Sequence, residues 1–102
     1  MHFIYIIYTN AFDKFYVGES IDPIIRVSQH NDGFYKGSST FYTKDWELKL
    51  VLSVRSKEHA IKIERYIKSM KSKAFLIKLV SDDVFLQEFK RIVKEKFKIE
   101  FF

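Results

Sequence analysis

The 102-residue sequence has no cysteine, one proline and three glycines. Without cysteine, disulfides, thiolate zinc sites, a cysteine nucleophile and thiol redox exchange are all excluded. The longest unbroken apolar run, Phe3 to Tyr8, is far short of a membrane span, and no basic stretch precedes it as in a signal peptide. We therefore expect a soluble, cytoplasmic protein with no membrane partner. Internal repeats, low-complexity tracts and Pro/Gly-rich linkers are also missing, so residues 1–102 read as a single domain.

What the chain has in quantity is aromatic mass: 11 Phe and 6 Tyr within a 47% hydrophobic composition, which excludes disorder. A chain of this length buries roughly 65% of its unfolded surface, enough for one modest core. Charge is distributed unevenly. Residues 1–54 carry five Lys/Arg against six Asp/Glu, whereas residues 55–102 carry thirteen against seven. A basic half suits a polyanion, either nucleic acid or an anionic membrane surface, and equally suits a solvated, solubilising face. Charge alone does not choose between them.

Residues 3–9 and 14–20 are aromatic and β-branched and flank Asn10–Asp13, which predicts a β-hairpin. Asp22 followed by Pro23 marks a helix start, Gly33 its end, and Ile24 is the expected core anchor of that helix. A loop rich in Gly and small hydroxyl residues follows over residues 33–45. Residues 46–54 alternate in part and read as a third strand. Ser56 caps a second helix with an apolar stripe at Ala60, Ile63, Ile67 and Met70. Ser72 caps a short third helix, and Ser81–Asp83 open a last one with Phe85, Phe89, Ile92 and Val93 facing inward. The fold class is α+β: a small three-stranded antiparallel or mixed sheet in the order β-β-α-β-α-α, plus a C-terminal helix. The tail residues Phe97, Ile99, Phe101 and Phe102 either bury themselves on this core or dock on a partner, and burial is the expectation.

The hairpin geometry places candidate site residues. If Thr9 pairs with Lys14, Tyr5 faces Gly18 and Ile7 faces Tyr16, and all four point to one side of the sheet. Two Tyr then sit diagonally, and Gly18 leaves room for the first ring. Such a pair also serves simple cross-strand packing. Arg26 and His30 are four apart on the first helix and share a face away from Ile24. Arg is suited to phosphate because its fork donates two parallel hydrogen bonds and stays charged at any working pH. Glu64 lies beside the second helix's apolar stripe, where a carboxylate needs a positive partner. Lys68 at i+4, an Arg or a hard divalent cation would each serve. Ser38, Ser39 and Thr40 have no base near them in sequence, and no Walker, GxSxG or HExxH pattern occurs.

Taken in order, FIY at 3–5, YVG at 16–18, a helix with Arg26 and His30, a Trp-led strand and a helix with Glu64 in an AxxxE run resemble the GIY-YIG nuclease domain. The resemblance covers about residues 3–75 and leaves residues 81–102 as a helical extension. Phe3 stands where the motif's name has Gly, Val17 stands for Ile, and no Asn follows the glutamate helix. What the resemblance implies is a metal-dependent endonuclease that hydrolyses phosphodiester bonds in duplex or structured DNA. Glu64 would hold one divalent cation, Mg²⁺ or Mn²⁺. Tyr5 is then the candidate general base, and Tyr16 orients water or a phosphate oxygen. Arg26 stabilises the developing phosphorane charge, and His30 assists in positioning or proton transfer. Lys62, Lys68, Lys71 and Lys73 are the candidate phosphate contacts. A non-cleaving nucleic-acid-binding module of the same fold is the alternative, and monomer and dimer are both open.

Overall fold

A computed structural model describes residues 1–34 and 36–102. The hairpin forms from β1 (His2–Thr9) and β2 (Lys14–Ser20), and its register is Tyr5 opposite Gly18, Ile7 opposite Tyr16 and Thr9 opposite Lys14. The four-residue turn sets that register, with Asp13 at φ 51° in the left-handed region that Asp tolerates. β3 (Trp46–Val54) pairs antiparallel with the other edge of β1, giving the strand order β2-β1-β3 in a wholly antiparallel sheet.

β3 carries an irregularity that sequence alternation alone does not reveal. Ile6 lies opposite Leu50 but Ile7 lies opposite Leu48, so one extra residue, Lys49, is inserted. Trp46 and Leu52 are an even number apart and would share a face in a regular strand. The bulge puts them on opposite faces. Leu52 and Val54 join Ile4, Ile6 and Val17 in the main core, while Trp46 joins Tyr5 and Ile7 on the other side.

The main core is covered by α2 (Lys57–Ser69), α3 (Lys73–Ser81) and α4 (Asp83–Phe97), capped by Ser56, Ser72 and Asp82. α2 buries Ala60, Ile63 and Ile67 as its stripe predicts. On α4 the inner line is Phe85, Phe89, Val93 and Phe97, spaced four apart. Ile92 is not part of it: one position short of that line, it is 37% exposed. Lys98 at φ 59° turns the tail back over the core. Ile99 is buried, Phe101 packs against it, and the Phe102 backbone N–H donates to Ser53 O at 2.9 Å, although the Phe102 ring stays exposed.

The opposite face of the sheet is covered by α1 (Pro23–Asn31), whose N-cap Asp22 accepts from the Ile25 N–H. Here an expectation is overturned. Ile24 is 75% exposed, and the helix buries Pro23 and His30, with Val27 packed beside them. These lie at i, i+4 and i+7, so α1 turns the stripe containing a histidine to the sheet and leaves its isoleucines outside. Among the described residues no helix is long and apolar enough to cross a membrane.

Candidate active site

Residues from β1, β2, α1 and the α1–β3 loop meet around Tyr5 and Tyr16, and α2 reaches the Tyr16 ring through Lys68. The Tyr5 ring is 1% exposed and rests directly on Gly18; an ideal Cβ there would lie 2.5 Å from the Tyr5 hydroxyl. Glycine is required at this position by close approach of a ring, not by backbone conformation. The Tyr16 ring, half-buried on β2, lies 6.4 Å from the Tyr5 ring, so the two hydroxyl-bearing rings do share a face.

His30 comes down from α1 between them, with ring centroids 6.1 Å from Tyr5 and 5.4 Å from Tyr16. Its Nε2 lies 3.0 Å from the Tyr5 hydroxyl and its Nδ1 2.8 Å from Thr40 Oγ1, which in turn lies 2.9 Å from Ser38 Oγ. Burial, and then the nearby positive charge of Arg26, lower the His30 pKa from 6.5 to about 4. The imidazole is therefore neutral at pH 7. A neutral imidazole donates through one ring nitrogen and accepts through the other, so His30 takes opposite roles toward Tyr5 and Thr40. Arg26 sits half-buried one turn before His30, on the same face of α1.

Thr40 was not distinguishable in sequence from its neighbours Ser38 and Ser39. It is 1% exposed, and its carbonyl accepts from Trp46 Nε1 at 3.0 Å. Asn31 fixes the same corner: its Oδ1 accepts from the Trp46 N–H at 2.8 Å and its Nδ2 donates to Trp46 O at 2.9 Å. Asp45 does likewise for the hairpin turn, accepting from the Thr43 and Thr9 hydroxyls and the Ala11 N–H. Those three bonds lower its pKa from 3.8 to about 2. None of these three residues carries a sequence signal beyond a polar type in a loop or at a helix end, because their partners come from distant segments.

Glu64 reaches the cluster through Lys68. The Lys68 ammonium lies 3.0 Å from Glu64 Oε1 and 5.2 Å from the Tyr16 ring centroid, while the Glu64 side chain is 18% exposed. Lys68 is therefore the positive partner of Glu64, by the i+4 pairing that the sequence allows. The Glu64 carboxylate is an oxygen ligand of the kind a hard divalent cation takes, and it already faces a positive charge in Lys68. No group of three or more His, Cys, Asp or Glu side chains able to hold a metal occurs among the described residues, so most of a metal's shell would come from water and substrate. The remaining lysines do not converge here. Lys62 lies over the Phe97 ring at 5.7 Å, Lys73 donates to Asp13 O at 2.7 Å, and Lys71 is exposed at the end of α2 at φ 48°.

No curated protein and no solved structure gives a significant match to this chain. The family model for the GIY-YIG catalytic domain matches residues 1–78, a span that contains β1, β2, α1, β3, α2 and every residue of the cluster. The three-stranded antiparallel sheet with its flanking helices has the GIY-YIG arrangement. The chain belongs to the GIY-YIG family, and with it to the nucleases that act on DNA.

Proposed function

We propose that the protein is a divalent-metal-dependent DNA endonuclease whose site is Tyr5, Tyr16, Arg26, His30 and Glu64. The observation that carries this reading is the hydrogen-bonded line Tyr5–His30–Thr40 lying beside Tyr16 and the Glu64–Lys68 pair. Tyr5 is the general base for the attacking water. A free phenol ionises near ~10, so it needs neighbouring positive charge to act at neutral pH. His30, neutral at pH 7 and 3.0 Å from the Tyr5 hydroxyl, sets the direction of that oxygen and, in its Nε2–H tautomer, donates to the ionised phenol, which makes His30 a positioning residue. Arg26 donates to the non-bridging phosphate oxygens as negative charge grows there. Tyr16 orients the water or a phosphate oxygen.

Glu64 would hold the cation, Mg²⁺ or Mn²⁺, with Tyr16 beside it. A divalent ion bound there supplies Lewis-acid stabilisation of the phosphate and its leaving oxygen. With Glu64 holding a cation, Lys68 would be released to contact the phosphate backbone.

A non-cleaving nucleic-acid-binding module is the second reading, favoured by Lys68 already occupying the Glu64 carboxylate. Incubation with duplex, nicked, branched and single-stranded DNA, with Mg²⁺ or Mn²⁺ and with EDTA, separates the two. The endonuclease reading expects metal-dependent cutting of at least one substrate and none by Glu64→Ala. Equal cutting by Glu64→Ala, or binding without cutting on every substrate, defeats it.

A further inference from the structure

Exposed apolar side chains are common singly, but exposed aromatic rings that pack together beside a site form a surface a ligand can use. In the hairpin turn, Phe12 is 50% exposed, and in the α1–β3 loop Tyr42 is 44% exposed. The two rings pack against each other edge-on, 4.8 Å apart at 88°. Tyr42 in turn meets Trp46 at 6.0 Å, also edge-on. The exposed pair is thus an outward continuation of the site's own cluster, since Trp46 holds the carbonyl of Thr40 and Thr40 holds His30. A cation accompanies the rings: Lys14 Nζ lies 5.8 Å from the Tyr42 centroid.

Flat accessible rings beside an ammonium group match the two needs of a single-stranded nucleotide, a stacking surface for the base and a positive charge for its phosphate. A base paired inside a duplex offers no free face, because its neighbours cover both. We propose that Phe12 and Tyr42 form a stacking platform for an unpaired DNA base, with Lys14 on the adjoining phosphate. The substrate of this nuclease site is then DNA with a single-stranded segment, such as a tail or branch, held next to the Tyr5 centre. This rests on the nuclease reading for its biological sense, but its test does not need cleavage.

Binding is measured in EDTA, by fluorescence anisotropy, with labelled oligothymidine, a blunt duplex and the same duplex carrying a single-stranded tail. Wild type binds the tailed duplex more tightly than the blunt one. Phe12→Ala and Tyr42→Ala each weaken binding to the tailed duplex and to oligothymidine by about tenfold, with blunt-duplex affinity unchanged. Phe12 is half exposed at a turn, so the urea midpoint of Phe12→Ala confirms that the fold is intact. Absence of any preference for the tail, or equal losses on tailed and blunt DNA, overturns the platform. If the tail preference depends on Phe12 but no DNA is ever cut with metal, the platform stands and the nuclease reading falls.

Discussion

Tyr5 and Gly18 have to change together. A methyl group at Gly18 would lie 2.5 Å from the Tyr5 hydroxyl, so Gly18→Ala must push the ring off its place over β2. Overpacking of this kind costs about 1–3 kcal/mol, and urea unfolding should register it. Because the displaced hydroxyl loses His30, cleavage should fall further than the lost stability explains. This match was legible in the sequence, since turn length alone fixes which residue faces Tyr5. The setting of His30 was not, because Thr40 lies ten residues away in an irregular loop. Its lowered pKa has a readable consequence. The unfolded chain takes up a proton near pH 6.5 that the folded protein refuses until about 4, so stability is complete above 6.5 and declines as pH falls through that window. His30→Gln removes the titration and should flatten the urea midpoint between those pH values; an unchanged slope would contradict it. Asp45, lowered from 3.8 to about 2, loses its contribution only at lower pH and leaves that window clear. Lys68 can be tested by direct Mn²⁺ titration followed by electron paramagnetic resonance. If Glu64 holds the cation, Lys68→Met removes a competing charge worth ~1 kcal/mol and should tighten binding about fivefold.

At the level of elements, the caps Asp22, Ser56, Ser72 and Asp82 made the helix starts readable, and the hairpin followed from two β-rich runs around a polar turn. The orientation of α1 was hidden for a physical reason. A nine-residue helix with an isoleucine at 24 reads as burying it, yet it turns Pro23, Val27 and His30 to the sheet. A side-chain clamp reinforces this orientation: both ends of the Asn31 amide bond the Trp46 backbone. Asn31→Ala leaves that backbone donor and acceptor unpaired at a half-buried position, and should lower unfolding stability by about 2 kcal/mol. The bulge at Lys49 was equally hidden, because partial alternation in 46–54 marks a strand without saying where it changes face. Yet the bulge is what lets one strand supply Trp46 to the site and Leu52 to the main core.

Across the whole molecule, the basic second half turns out to be partly structural. Lys62, Lys78 and Lys96 lie over the rings of Phe97, Phe85 and Tyr66, so much of that charge is spread along the aromatic helices and not concentrated at the site. The tail closes the same helical layer. Ile99, 2% exposed, follows the left-handed Lys98 and is part of the core, so Ile99→Ala should cost about 2–5 kcal/mol in thermal or urea unfolding. The result of this division is two aromatic faces on one small sheet, the larger holding the helices together and the smaller, around Tyr5, available for chemistry. The most direct test of that chemistry is the single-turnover rate of DNA cleavage by Tyr5→Phe with Mg²⁺. Phenylalanine keeps the ring over Gly18 and removes only the hydroxyl that meets His30. The rate should fall by about 10²-fold or more with the fold intact. Cleavage at the wild-type rate would show that the Tyr5 hydroxyl is not the base and that the centre of the proposed site lies elsewhere.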